Sequence, residues 1–377
     1  GRTVEGFNAG EVIQVPPVLN EETREALKTA EMTLVVNGVT LKYGEAIAMG
    51  DFYADANAMM TASPDELKEL VRLIQQDKAS RNVGTDQWQK ATNNRYAKLA
   101  EQNEPHFAAP DPGLAGVSGK STIDHKSQWE RFHAAALLTA QSGDRDKALA
   151  TNGFADHFLT DAFAAGHLVN KRDVMEAFKS KLPAANSKAF FDGVAQRAFV
   201  GDLKAAFSVH ETVTTKLGIH WNINNDGRFS TLLQEIYKAE PDLLANAVAK
   251  SVHDTLNTKP GGIPVENARK DQWSLSGDGT LNAKSREIAK KAVAESQLQV
   301  LTAMQQSGPL NLAGLNKAVW DYVPRPTAQG QQLIQQEVAS GTDPKSAPLV
   351  DAVVQLLKDN HKAILAELVG RNYLRHE

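Results

Sequence analysis

The chain has 377 residues, 42% of them apolar, enough for one large domain or two to three ordinary ones and a substantial core. Its 41 basic and 45 acidic residues leave a formal charge of −4, which argues against holding nucleic acid through a diffuse basic surface or anionic lipid by charge alone. With no cysteine, disulfide scaffolds, thiolate metal sites and cysteine nucleophiles are excluded, so any metal must be held by His, Asp, Glu or backbone groups.

The start, Gly1-Arg2-Thr3, has neither an initiator Met nor an apolar signal core. It reads as a processed or trimmed terminus, which a removed export signal could have preceded, giving the expectation of a secreted or periplasmic protein of bacterial type. No run approaches the roughly 18 consecutive apolar residues of a bilayer-spanning helix. Residues 1–30 mix Gly, Pro and Glu around Pro16-Pro17 without a clean period and are expected to form an N-terminal extension. Met32 to Leu41 alternates about Asn37-Gly38, the signature of a small β-hairpin, expected to be the only sheet.

From Tyr43 onward the period is helical. Ser63-Pro64-Asp65-Glu66 is a capping box with Pro at the first helical position, followed by an apolar face of Leu67, Leu70, Val71, Leu73 and Ile74. Further helices are expected at about 86–102, 126–142, 145–165, 172–181, 188–210, 228–257, 283–306, 328–340 and 346–369. The stretches 107–120 and 258–280, rich in Pro, Gly, Asn and Asp, read as long loops that can line a site. Val323-Pro324-Arg325-Pro326 cannot be helical, so the expected organisation is the extension at 1–30, a helical catalytic-type domain at 31–322 and a packed C-terminal helical segment at 323–377. The fold class expected is mainly α, a bundle of roughly eight to ten helices with one N-terminal hairpin. One weak internal repeat aligns Val209–Ile219 with Val252–Ile263, which would put His210 and His253 in equivalent settings.

The densest chemical pattern is His157-Phe-Leu-Thr-Asp161-Ala-Phe-Ala-Ala-Gly-His167. Four-apart residues of a helix face the same way, so the His157 imidazole and Asp161 carboxylate project side by side and can chelate one cation. His167 lies roughly 240° further round, and Gly166 can end the helix, so His167 suits a neighbouring metal better than the same one. The flanking Phe154, Phe158, Leu159, Ala162 and Phe163 would make two imidazoles and a carboxylate costly to bury unless paired or metal-bound. The plainer alternative is a His/Asp pair on a solvated face, with His167 at a helix C-terminus whose dipole suits a cation.

His-x3-Asp-x5-His on an Ala- and Phe-rich helix, in a helical chain of this size, resembles the central motif of the zinc-dependent phospholipase C and P1 nuclease superfamily. The resemblance implies that Asp161 bridges two zinc ions, that His157 joins one cluster and that His167 begins another. It also implies an Asp and then a His upstream, the order in which Gly50-Asp51-Phe52-Tyr53 and Pro105-His106-Phe107 occur. The set carried over is Asp51, His106, His157, Asp161 and His167, holding two or three zinc ions, with Asp51 also the implied general base. Phe52, Tyr53 and Phe163 are then expected to line a lipid-facing pocket.

The superfamily also has an N-terminal Trp and, after the central motif, a His followed four residues later by an acid. No Trp starts this chain, and the residues four beyond His210, His220, His253 and His361 are Thr214, Asn224, Asn257 and Leu365. His253-Asp254 and His210-Glu211 are the candidates to complete the metal set. His133, on the inner stripe of its helix, reads as a satisfied core histidine or a ligand, whereas His125, His361 and His376 read as surface residues. Gly277-Asp278-Gly279 reads as a turn, and Gly116-Val-Ser-Gly119-Lys-Ser-Thr, lacking the glycine spacing of a phosphate loop, as a flexible segment. No nucleophile elbow, His-Glu-x2-His or dinucleotide fingerprint occurs.

The expected function is therefore hydrolysis of a phospholipid phosphodiester by a zinc-dependent, phospholipase C-like enzyme with Asp51 and Asp161 as catalytic residues. The substrate implied is a phospholipid or other phosphodiester, with peripheral membrane contact and no stable nucleic-acid complex. The alternatives are a P1-type nuclease, or a non-catalytic binding or toxin module on the same scaffold with a degenerate metal site.

Overall fold

The computed structural model describes residues 32–80, 83–110, 123–217, 220–277 and 279–376. The extension at 1–30, the Gly116–Thr122 string and Asp278 lie outside the described residues. As the periodicity predicts, the fold is mainly helical, and it opens with the expected antiparallel hairpin of β1 (Thr33–Val36) and β2 (Val39–Lys42). Asn37 and Gly38 make its turn with φ of 45° and 77°, the left-handed pair that a two-residue hairpin needs. Leu34, Val36, Val39 and Leu41 point into the core. The Ser63 hydroxyl caps the helix Pro64–Ser80 by accepting from the Glu66 N–H at 3.2 Å.

Several helices expected to be continuous are broken, so they are more numerous and shorter than expected. The stretch 86–102 splits at Asn93 and Asn94, both with positive φ, and 188–210 splits before Gly201, whose φ is 53°. The stretch 228–257 splits at Pro241, which cannot donate to the preceding turn, and 346–369 at Asn360. The hairpin is also not the only sheet. In the expected loop at 258–280, β3 (Ile263–Glu266) pairs with β4 (Gln272–Leu275), and β5 (Arg325–Pro326) pairs on the other side of β3. A further antiparallel pair joins 210–212 to 374–376. The proposed repeat has no structural counterpart, because His210 begins that strand while His253 lies within the helix Pro241–Asn257.

The chain divides into two compact units, and among the described residues the first comprises 32–110, 123–170 and 256–332. Its centre is a helix pair joined through Gly143: α2 (His125–Gln141) and α3 (Arg145–Asp161). The short helix α1 (Tyr43–Ala48) and the long α4 (Ala283–Ala303) also pack on α3. Every α3 residue from Ala148 to Asp161 is buried, as a helix surrounded by others must be. Small residues allow this crowding: a Cβ at Gly153 would come 2.9 Å from the Ala46 Cβ.

A helix enclosed on all sides must find protein partners for each of its polar side chains. Asp156 accepts hydrogen bonds from Tyr43 OH at 2.7 Å, Ser296 Oγ at 2.7 Å, Trp129 Nε1 at 3.0 Å and Asn152 Nδ2 at 3.3 Å. His133 is the satisfied core histidine of the two readings, held between Asn152 Oδ1 at 2.6 Å and Gln299 Oε1 at 3.0 Å.

The second unit comprises 171–255 and 333–376. Its core is aromatic: Phe191 packs on Tyr237 at 5.6 Å, and Phe229 on Phe199 and Phe207 at 4.8 and 5.1 Å. The Tyr237 hydroxyl stays satisfied by donating to the Leu182 carbonyl at 2.8 Å.

Candidate metal centre

Three segments remote in sequence deliver donor atoms to one place in the first unit. α1 runs directly into a 3-10 turn, Met49–Asp51, which leaves Asp51 at its end. The turn approaches α3 so closely that only glycine fits at position 50, where a Cβ would lie 2.2 Å from His157 Cγ. His106 ends another 3-10 turn, Glu104–His106, and His157 and Asp161 come from one face of α3.

Asp51, His106 and His157 offer ligand atoms that all lie within 4.8 Å of one another. His157 Nε2 lies 2.9 Å from His106 Nδ1 and 3.6 Å from Asp51 Oδ1. Asp161 reaches the same atoms, with Oδ2 2.8 Å from His106 Nδ1 and 3.4 Å from His157 Nε2. A tetrahedral ion with bonds of about 2.0–2.1 Å holds its donors about 3.3 Å apart, and these separations bracket that spacing. Two imidazoles and two carboxylates are a donor set suited to a divalent cation, whose charge matches the formal charge of the carboxylates.

Hydrogen bonds fix which nitrogens face the group. His157 Nδ1 lies 3.1 Å from the Ile47 carbonyl, which can only accept, so Nδ1 carries the proton and Nε2 presents its lone pair to the cluster. His167 Nδ1 in the same way donates to the His106 carbonyl at 2.6 Å. Phe107 stacks on the His167 ring at 4.8 Å, and Phe158 packs against the His106 ring at 4.9 Å and the His157 ring at 5.5 Å, so Phe158 gives the group an apolar neighbour. Burial lowers the His157 pKa and keeps its imidazole neutral, the form that ligates. Burial alone would raise the Asp161 carboxyl, but nearby positive charge and the hydrogen bond from His106 outweigh it and hold it well below the usual carboxylate range. The group is graded in exposure: the Asp51 side chain is 28% exposed and that of His106 16%, while His157 and Asp161 are fully buried.

α3 ends at Asp161, short of the expected 165, and His167 sits on a separate 3-10 turn, Ala165–Leu168, outside the three-residue group. His210 and His253 are not members either. His210 Nδ1 is engaged with the Ala206 carbonyl at 3.1 Å, and His253 Nδ1 with Asp254 Oδ1 at 2.9 Å. Phe52, Tyr53 and Phe163 line no open pocket: all three are buried, and Phe52 stacks on Trp88 at 4.8 Å. His125, expected at the surface, is buried at the start of α2, its backbone N–H bonded to the Phe107 carbonyl at 2.9 Å and its Nδ1 without a partner among the described residues. Burial pushes its pKa down to about 4.

Sequence reasoning missed Tyr43 and Asp156, which join α1 to α3 one residue before His157. The available signal was an acid immediately beside a candidate ligand in a helix with no polar face. Among the described residues no helix is long and apolar enough to cross a membrane. Compared with protein-family models, with characterised proteins and with solved structures, the chain matches none.

Proposed function

We propose that the chain is a metal-dependent phosphodiester hydrolase, the activity implied by its resemblance to the zinc-dependent phospholipase C and P1 nuclease superfamily. The observation that carries the reading is the convergence of Asp51, His106 and His157, with Asp161 Oδ2 2.8 Å from His106. These four residues would hold the ion, zinc by the resemblance. A divalent ion there supplies Lewis acidity toward a phosphoryl oxygen and makes water acidic enough to react near neutral pH.

The chain's own groups have separable tasks. His157, its proton committed to Ile47, and the buried Asp161 form the rigid inner half of the site. Asp51, the most exposed member, stands where a substrate arrives and is the group placed to accept a proton from an attacking water. The buried Phe158 packs against the rings of His106 and His157 and limits the approach of water to them. Phospholipid is preferred over nucleic acid because the net charge of −4 provides no diffuse attraction for a polyanion.

The test is metal content and turnover together. Protein purified without added metal is analysed for zinc, then assayed on a chromogenic phosphodiester, a phosphatidylcholine dispersion and single-stranded DNA, with and without chelator. Chelator-sensitive hydrolysis of the first two supports the reading, and preference for DNA moves it to the nuclease branch. Stoichiometric zinc with no turnover on any substrate leaves a metal-binding module.

A further inference from the structure

Asp51 belongs to the segment that starts with α1, whereas His157 and Asp161 belong to α3. The geometry of the group therefore depends on how α1 is docked along α3. Hydrogen bonds at the two ends of α1 set that docking. At the end of α1 nearer Asp51, the Ile47 carbonyl accepts from His157 Nδ1 at 3.1 Å. At the other end, four residues earlier on the same face, the Tyr43 hydroxyl donates to Asp156 Oδ2 at 2.7 Å. Between them Ala46 meets Gly153 with no room for a larger residue.

We propose that Tyr43 and Asp156 are positioning residues of the metal centre: their hydrogen bond holds the Asp51-bearing segment in register with His157 and Asp161. The contact is built for rigidity. Both side chains are fully buried, and the Tyr43 hydroxyl also accepts from Asn152 Nδ2 at 2.7 Å, so both its hydrogen-bonding capacities are used. On α3, Asp156 and Asn152 lie on the side of the helix away from His157 and Asp161, roughly 120° and 160° around from the middle of the ligand face. Neither touches the metal group. Asp156 acts through the helix backbone on the residue that follows it, and Tyr43 through α1 on the turn that ends at Asp51. Without the Tyr43 hydroxyl, α1 loses its bonds to both Asp156 and Asn152, keeps the Ile47–His157 anchor to α3 and can pivot about Ile47.

The inference rests on the group binding a metal, and the experiment separates the two. Zinc affinity is measured by competition with a chromogenic chelator for the wild type, Tyr43→Phe and Ser296→Ala, well below each melting temperature. Ser296→Ala is the control, because Ser296 gives the same carboxylate an equally short bond, 2.7 Å, from α4, which bears no member of the group. Tyr43→Phe keeps the ring and removes only the hydroxyl. The expected result is a loss of zinc affinity of about tenfold in Tyr43→Phe, within the range for groups that orient ligands, and no change in Ser296→Ala despite a comparable fall in melting temperature. Equal zinc affinity in Tyr43→Phe and wild type, or equal losses in both variants, overturns the positioning role while leaving the metal site standing. No zinc binding by the wild type overturns both.

Discussion

In the unit built around α3, Asp156, His157 and Asp161 are buried and meet their partners inside the protein, whereas the second unit pairs Lys188 with Asp192, Arg197 with Asp351 and Arg371 with Glu240 at its surface. Lys171, Asp173 and His210 are buried exceptions in the second unit. Interior charge costs several kcal/mol per ion unless it is paired, hydrogen-bonded or metal-bound, whereas surface pairs contribute about 0–1 kcal/mol. The buried ionisable groups on α3 therefore mark where stability is given up at the candidate metal centre, and the surface pairs mark ordinary solvation. Substitutions in the two units should differ in kind as well as in size.

The comparison breaks most decisively at Asp161. Asp161→Asn keeps the shape but removes the charge beside both imidazoles, so bound zinc should fall by at least one ion per chain and phosphodiester turnover by on the order of 100-fold. The far-ultraviolet circular dichroism spectrum should stay unchanged. Retained zinc and retained turnover would mean that the buried carboxylates of the first unit serve its architecture alone.

Gly50→Ala probes the same centre through packing. The new Cβ would meet His157 Cγ at 2.2 Å, a distance that no rotamer of Ala relieves, so either the Met49–Asp51 turn or the His157 ring must move. Overpacking of this kind costs about 1–3 kcal/mol and should weaken zinc binding in parallel. Thermal melting and zinc titration of one sample check both effects. An unshifted melting temperature would show that the turn and α3 are not in rigid contact.

His125 sharpens the comparison through pH. Its folded pKa, about 4, is below the ordinary value of 6.5, so the unfolded chain takes up a proton that the folded chain does not. Its contribution is complete above pH 6.5 and is lost as pH falls toward 4. His125→Phe should flatten the acid side of the stability curve by about 1–3 kcal/mol. In the wild type, nuclear magnetic resonance should find the His125 ring neutral throughout pH 5–8. A midpoint near 6.5 would show that this part of the first unit is as solvated as the surface of the second.

What could be read from the sequence divides along the range of the interactions involved. The hairpin at Asn37-Gly38 and the cap at Ser63 are local, and both stand as expected. The four-apart geometry of His157 and Asp161 needs only the helix period. By contrast, β3 and β4 are four residues each, too short for alternation to register, and β5 joins them from about 50 residues away. The burial of His125 depends on Phe107 and Trp320, which no local pattern links to it. The Tyr43–Asp156 bond spans 113 residues and was equally invisible. Of the expected ligands, Asp51, His106 and His157 are brought together with Asp161 beside them; the acid after His253 is its local partner, whereas Glu211 pairs with His220 and Arg375 and not with His210.

The smallest effect is expected at Lys188, and its smallness is the point. Lys188 and Asp192 are four apart on the helix Lys188–Ala198, and the Lys side chain is 75% exposed. The Lys188 ammonium, helped by the Ser230 hydroxyl at 2.7 Å, holds Asp192 below the usual carboxylate range. A depressed carboxyl contributes stability above its ordinary pKa of 3.8 and loses it as the pH falls below that, so the pair matters only above that range and at low salt. Even there, an exposed four-apart pair is worth about 0.3–0.5 kcal/mol, because water screens the attraction and ordering two flexible side chains costs entropy. Lys188→Ala should therefore shift the urea midpoint barely beyond error, and Ser230→Ala, which removes a buried donor to the same carboxylate, should shift it more. A Lys188→Ala loss above about 1 kcal/mol would mean that the second unit relies on its charges as the first does, and the division between the two units would have to be given up.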